Sequence, residues 1–410
     1  MNSNPTLHAP VVYTHKPQTG AAPHYNVSIG ILRAFLVALV VAHHAVLAYF
    51  PWLPLPGNSL LAQPRLWEAF PTLDPQRWTG WAVFVGFNDT FFMALFFFVS
   101  GLFVWTSLQR KGARQFIGDR LLRLGLPFVL ATIFLAPLAY YPAYLQTTTS
   151  PALAGFWRQW RALGNWPAGP VWFLWVLLAF GFGAVVAHKL IPHAAERVNN
   201  KFSFLWRRPF AAFIVLCLLS SLAYVPMAMA FNPLQWTAWG PFAFQTSRII
   251  HYALYFAAGV VVGAGHGNLF LSSAGPLAKR WLFWPAIALV SFAVASAIST
   301  AAASNPVHAR SLDIAGHLGF CVTCAACSFA CLVIFLRFAK SRGPMWTSLC
   351  ACSYGIYLVH YPIVNWLQHI MIPRNDSAFL KGVTVALLGF ALSWLVAWML
   401  RRVPVIARIL

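Results

Sequence analysis

The stretch GILRAFLVALVVAHHAVLAYF, residues 30–50, decides the fold class of this protein. It contains no acidic side chain, and Arg33 is its only fixed charge. A helix of about 20 mostly apolar residues crosses the hydrocarbon core of a bilayer. Further stretches of this kind begin near Ala82, Arg123, Val171, Pro209, Phe242, Trp281, Leu312, Trp346 and Phe379. The sequence therefore predicts an all-α integral membrane protein with about ten transmembrane helices in one bundle.

Composition supports the same class of protein. Hydrophobic residues make up 60% of the 410 residues and charged residues only 9%, against about 25% charged in soluble domains. The formal net charge of +21 is not gathered into a dense basic stripe with interleaved aromatic residues, which excludes nucleic acid as the expected partner. The cations lie between apolar stretches instead, where they meet the headgroups of membrane lipids.

The loop charges predict an orientation. Every second loop is basic, and the cations of this set are Arg110, Lys111, Arg114, Arg120 and Arg123; Lys189, Arg197, Lys201, Arg207 and Arg208; Lys279 and Arg280; and Arg337, Lys340 and Arg342. Basic loops face the cytoplasm, and with ten spans both termini fall on that side. Residues 1–28, which are polar and rich in proline, are expected to form a disordered cytoplasmic tail. Residues 29–410 are expected to form one membrane domain.

Ionisable residues in the first segment are candidates for function, because each costs about 2.5–3.5 kcal/mol within a bilayer on insertion scales. Arg33 and His44 are eleven residues apart, so a helix places them on one face about 16 Å apart along its axis. His43 points about 80° away from that face by the same helical geometry. The alternative is that Arg33 extends to the headgroups and the histidines form hydrogen bonds between helices.

Asp89 lies inside the second apolar segment, in the sequence Asn88-Asp89-Thr90. An unpaired carboxylate is costly at that depth, so the sequence predicts that a cation or a histidine contacts it. The alternative is that Asp89 caps the start of a helix.

Cys321, Cys324, Cys327 and Cys331 have the spacing of iron–sulfur ligands in bacterial ferredoxins. Their segment nevertheless has the composition of a membrane helix, where these spacings put all four on one stripe. We therefore expect small residues packed between helices and no metal site.

Four motifs together resemble the acyltransferase family 3 membrane proteins, and more loosely their glucan succinyltransferase branch. The first motif is the pair Arg33 and His44. The others are FFFVSG at residues 96–101 with RLLRLGLP at 120–127, GPVWFL at 169–174, and SYGIYLVHYP at 353–362. The resemblance covers almost the whole chain, although the doubled histidine at 43 and 44 departs from it.

This resemblance implies an O-acyltransferase of the cell inner membrane that moves an acetyl or succinyl group from acyl-CoA to a hydroxyl of an extracytoplasmic carbohydrate. His44, a neutral base near pH 7, and Arg33 would be catalytic. Arg120 and Arg123 would bind acyl-CoA through its phosphates. Without the resemblance, they could equally be ordinary cytoplasmic cations that orient the protein in the membrane. Supporting roles would fall to Asp89, Ser100, Trp172, Tyr357 and His360. No permanently bound cofactor is implied.

Two other classes of function stay open at the level of sequence. A secondary transporter of a glycan or lipid-linked sugar would also place charges inside a helix bundle. A non-catalytic membrane partner of a glycan-synthesis complex would need none of these polar residues.

Overall fold

A computed structural model describes residues 25–52, 56–62, 72–265, 270–341 and 343–410. The helices are α1 Tyr25–Val46, α2 Thr79–Gly101, α3 Val104–Arg120, α4 Leu126–Leu130, α5 Ala136–Leu145, α6 Leu153–Ala162, α7 Trp172–Leu190, α8 Ala194–Lys201, α9 Ser203–Arg207, α10 Pro209–Ala230, α11 Ile249–Ala264, α12 Phe283–Ser304, α13 Ala309–Phe338, α14 Pro344–Met371, α15 Ala378–Leu400 and α16 Pro404–Ala407. The strands β1, Trp236–Trp239, and β2, Phe242–Gln245, form an antiparallel hairpin.

The predicted all-α membrane class is confirmed. Within the described part of the chain, nine helical segments are long and apolar enough to cross a membrane. They correspond to nine of the ten predicted segments. The tenth, predicted near Trp346, lies in α14, which has 28 residues and is therefore about 42 Å long. Because α14 is more polar than the nine, it needs protein neighbours on the sides that lipid would otherwise cover.

Two helical segments begin at residues other than the predicted ones. The segment predicted from Arg123 belongs to a helical run that already begins at Val104 and continues to Leu145. The segment predicted from Phe242 begins as strand β2, and its membrane helix starts at Thr246. Phe242–Gln245 is short and apolar, and such a run does not distinguish strand from helix by its periodicity.

The predicted tail at 1–28 lies outside the described residues as far as residue 24. Its last residues differ from the prediction, because α1 already begins at Tyr25. Ser28 is buried there, and its hydroxyl donates a hydrogen bond to the Ala339 carbonyl at 2.8 Å. This contact joins the start of α1 to the end of α13.

The helices divide into central and peripheral ones. In α1 and in α2, 67% of the residues in the most apolar stretch of the helix are buried inside the protein. The corresponding fraction is 11% in α10 and 17% in α12. The exposed apolar side chains of α10 and α12 are the lipid-facing surface of such a bundle. The central helix α1 packs against α2, α13, α14 and α15. Residues on α1 therefore face protein on several sides.

Glycines allow α2 and α11 to approach closely. A Cβ at Gly259 would lie 2.1 Å from the Phe98 carbonyl oxygen, and one at Gly263 would lie 1.9 Å from that of Leu102. On α2, a Cβ at Gly101 would lie 2.3 Å from the Phe256 carbonyl oxygen. Small residues four apart are the usual means of such close contact between membrane helices. The contact fixes the end of α2, where the motif residues 96–101 lie.

Candidate active site

A cavity of about 420 Å³ opens between α1, α2, α3, α7 and α14. It brings together five residues that the sequence had singled out in four separate segments. These are Arg33, Ser100, Arg120, Arg123 and Tyr357. The five come from three of the four motifs, so these motifs converge in space although they are spread over 325 positions (33 to 357).

The charged side chains that line this cavity are mostly cations. Its described lining residues include four cations, Arg33, Lys111, Arg120 and Arg123, and one carboxylate, Asp119. Lys111 and Asp119 form an ion pair with each other. Cationic side chains therefore outnumber carboxylate side chains among the described lining residues by four to one, which suits a polyanionic group such as a phosphate.

Local contacts hold the two arginines of the RLLRLGLP motif in place. The Arg120 guanidinium lies over the Phe116 ring, 5.0 Å from its centre. Arg123 lies in the π-helical segment Leu121–Gly125, and its carbonyl accepts a hydrogen bond from the Tyr354 hydroxyl of α14. π-Helical turns recur at functional sites. Here the turn coincides with the arginine that α14 contacts.

One face of α1 leads from this cavity to His44. Arg33, Val37 and Val40 line the cavity, and His44 continues the same spacing of four, three and four residues. Residues so spaced lie on one side of a helix. His44 itself is not a lining residue and lies about one turn beyond Val40. The inner end of the cavity is apolar around Val37, Val40 and Met93.

His44 lies among aromatic rings from α1 and α14. Its ring centre is 5.4 Å from that of His43 and 5.3 Å from those of His360 and Tyr361. Its Nδ1 is buried and has no hydrogen-bond partner among the described residues. This nitrogen is therefore available for a contact that the fold itself does not use.

His43 is engaged elsewhere, as its different helical direction predicted. Its Nδ1 lies 3.3 Å from the Asn88 side-chain amide, and its ring stacks on Phe92 at 5.1 Å. The two neighbouring histidines therefore have different surroundings. His43 serves contacts with α2, and His44 faces α14.

Tyr357 connects the large cavity with the surroundings of His44. It also lines a small cavity of about 10 Å³, together with His360, Tyr361 and Pro170. The Tyr357 hydroxyl donates a hydrogen bond to the Pro170 carbonyl. The SYGIYLVHYP and GPVWFL motifs therefore meet at the inner end of the large cavity.

Gly169 explains why the second of these motifs starts with glycine. Its φ is +63°, a conformation that L side chains rarely adopt. A Cβ there would lie 2.7 Å from Cε1 of Tyr361. The chain therefore passes close to the ring that packs against His44.

Two predicted supporting residues, Trp172 and Asp89, line neither the large nor the small cavity. Trp172 packs against Trp236 and Tyr252, with ring centres 5.4 and 6.0 Å away. Its neighbour Phe173 lines the cavity instead, because the turn of the helix directs adjacent side chains about 100° apart. Asp89 lies in the interior of α2, so it does not cap a helix start.

The prediction that a cation or a histidine contacts Asp89 is confirmed, and the contact is with a cation. Nη2 of Arg248 lies 2.8 Å from Oδ2 of Asp89, and the Arg248 side chain is only 5% exposed. The other terminal nitrogen of the guanidinium, Nη1, donates a hydrogen bond to the Asp89 carbonyl oxygen at 3.1 Å. This pair joins α2 to the start of α11 and stands apart from the cavity.

Sequence reasoning missed two buried cations. Arg248 lies inside the segment predicted from Phe242, and Lys381 lies inside the one predicted from Phe379. Nζ of Lys381 is 2.9 Å from Oδ2 of Asp74, and both side chains are 0% exposed. A cation inside a predicted span is itself a signal, and it was available for both residues.

The comparisons with known proteins agree with this geometry. A family model described as the acyltransferase domain, acyltransferase family 3, matches residues 26–402. No curated protein and no solved structure matches the chain. The matched region includes all four motifs that meet around the cavity and His44, and it leaves out only the ends of the chain. The protein therefore belongs to acyltransferase family 3 and is a multi-pass membrane O-acyltransferase.

Proposed function

We propose that this acyltransferase takes an acetyl or succinyl group from acyl-CoA on the cytoplasmic side and transfers it to a hydroxyl of an extracytoplasmic glycan. The observation that carries the proposal is the single face of α1 that joins the arginine-lined cavity to His44. The donor would bind at one end of this face and react at the other.

The cavity suits the two parts of a CoA donor. The phosphates would meet Arg33, Arg120 and Arg123, since the planar guanidinium binds phosphate through two parallel hydrogen bonds. The pantetheine arm would extend along the apolar wall at Val37 and Val40. The thioester would then arrive next to His44.

His44 would act as the general base. Its neutral imidazole would take the proton from the acceptor hydroxyl while the oxygen attacks the thioester carbonyl carbon. The new C–O bond forms, the C–S bond breaks, and CoA leaves as a thiolate. The imidazolium then returns its proton to that thiolate, so the base is regenerated.

The two substrates would approach from opposite sides of the membrane. Arg33, near the start of α1, and Leu410 line the same cavity, which is therefore at the end of the bundle where α1 begins. The loop charges predict that this end faces the cytoplasm. His44 is about 16 Å further along the span, so an acceptor from the outside has the shorter path to it. The product would be an acylated periplasmic or cell-surface glycan.

Transfer of label tests the chemistry. Purified protein is incubated with radiolabelled acetyl-CoA or succinyl-CoA and a β-linked gluco-oligosaccharide, and the label in the sugar is counted. His44→Ala should lower the rate by about 10²–10⁴-fold, the contribution of a general base. His43→Ala is the matched control, because it removes an imidazole from the same turn, and it should retain most of the activity.

Two outcomes would contradict the proposal. Equal losses in both variants would mean that His44 is not the base. Uptake of the sugar into proteoliposomes without consumption of either acyl-CoA would favour the transporter.

Sidedness is tested by cysteine labelling on a cysteine-free background. Gln115, on α3, and Thr149, after α5, are both exposed. An impermeant thiol reagent applied to intact cells should label Thr149→Cys and leave Gln115→Cys unlabelled. The opposite pattern would place the donor cavity outside the cell.

A further inference from the structure

Two buried histidine nitrogens, one on α1 and one on α14, lack a hydrogen-bond partner in the described part of the chain. Nδ1 of His44 and Nε2 of His360 are both buried, and neither has a hydrogen-bond partner among the described residues. His360 is 0% exposed. Buried polar atoms are nearly always hydrogen-bonded, so each of these two calls for an explanation.

The hydrogen on the His360 ring is fixed by its own helix. Nδ1 lies 2.6 Å from the Tyr357 carbonyl oxygen. A carbonyl oxygen only accepts hydrogen bonds, so Nδ1 carries the hydrogen and donates it. In the neutral ring Nε2 is then an acceptor with a free lone pair.

The relative position of the two histidines is also fixed. Their ring centres are 5.3 Å apart. The Gln368 side-chain amide donates hydrogen bonds to the carbonyls of His44 and Ala45, at 2.8 and 3.0 Å. These bonds join α14 to the backbone of α1 at His44, about two helical turns beyond His360 on α14.

We propose that His360 is the positioning residue of the catalytic base: its Nε2 accepts a hydrogen bond from Nδ1–H of His44. The contact tightens when substrates bind, as catalytic hydrogen bonds commonly do. It keeps the hydrogen of neutral His44 on Nδ1 and leaves the lone pair on Nε2, ready for the acceptor hydroxyl. The second ring nitrogen of a histidine base is commonly held in this way, which selects the tautomer. This inference rests on the proposed function.

Two amide substitutions separate this role from a merely structural one. In His360→Asn the amide nitrogen takes the place of Nδ1, which keeps the bond to the Tyr357 carbonyl and removes the acceptor at Nε2. In His360→Gln the longer side chain brings an amide oxygen to the position of Nε2 and gives up the bond to Tyr357. His360→Asn therefore loses the acceptor offered to His44, and His360→Gln loses the donor to the Tyr357 carbonyl.

Kinetics with acetyl-CoA and the gluco-oligosaccharide provide the readout. We expect kcat to fall about 10–100-fold in His360→Asn, the usual effect of losing an orienting partner, with an unchanged KM for acetyl-CoA. His360→Gln should retain clearly more of the kcat. If His360 only stabilises α14, the order reverses and the asparagine variant is the more active one, which would overturn the proposal.

If the His360→Gln variant does not fold, a double variant tests the same proposal. Because His360 acts through His44, adding His360→Asn to His44→Ala should cause no further loss of activity. A further loss in the double variant would show that the two residues act independently and would overturn the inference alone. Wild-type protein that transfers label from neither acyl-CoA would overturn the proposed function, and the inference with it.

Discussion

Neutralising Asp74 tests the buried ion pair that joins the loop after α1 to α15. Nζ of Lys381 lies 3.1 and 2.9 Å from the two carboxylate oxygens of Asp74, and 3.4 Å from the Ile372 carbonyl oxygen. Asp74→Asn keeps the shape of the side chain and removes its charge. The Lys381 ammonium then stays buried with neutral partners only.

The structure supplies both the magnitude and a control. Both partners of the buried pair are 0% exposed, and removing one partner from a buried pair costs about 3–5 kcal/mol. In the same region Nε of Arg374 lies 3.0 Å from Oδ2 of Asp376, but these side chains are 60% and 38% exposed. An exposed pair contributes about 0–1 kcal/mol. Since the two contact distances are nearly equal, the comparison isolates the effect of burial.

Thermal unfolding of the purified protein in detergent is the assay. Asp74→Asn should lower the melting temperature strongly, and Asp376→Asn should leave it nearly unchanged. Adding Lys381→Met to Asp74→Asn should recover part of the loss, because it removes the uncompensated buried charge. Similar small shifts for Asp74→Asn and Asp376→Asn would refute the reasoning.

Arg120→Ala and Arg123→Ala should each raise the KM for acyl-CoA in steady-state kinetics. A lysine at either position should restore the KM only in part, because lysine cannot form two parallel hydrogen bonds to a phosphate. A wild-type KM for acyl-CoA in both alanine variants would mean that these arginines serve only to orient the protein in the membrane. Gly169→Ala should lower both activity and melting temperature, because its φ is +63° and the new Cβ would lie 2.7 Å from Tyr361. Gly164→Ala is the matched control, since Gly164 has a φ of +73° and nothing within 4 Å of a Cβ. If the Gly169→Ala and Gly164→Ala variants show the same decrease in melting temperature, backbone strain alone explains the effect and the contact with Tyr361 does not contribute.

The parts of the site that lie on one helix could be predicted from the sequence. The shared face of Arg33 and His44 and the different direction of His43 follow from 3.6 residues per turn. The structure agrees in both respects, since Arg33 lines the cavity on the face that leads to His44, and His43 contacts Asn88. Trp172 was selected because it belongs to a motif of the family, and membership in a motif does not show which way a side chain points. The cavity is lined by its neighbour Phe173 instead.

The sequence by itself determined the membrane class, because lipid admits few structures besides apolar helices of sufficient length. It also indicated that Asp89 needs a cation or a histidine as a partner, but not that this partner is Arg248. The tertiary structure alone decided the neighbours of each side chain: Asp74 pairs with Lys381, and the ring of His360 lies beside that of His44. The physical reason is that spacing along a chain fixes which side chains share a face of one helix. Which face of the next helix lies opposite depends on the rotation and depth of both helices, and these are set by the packing of the whole bundle.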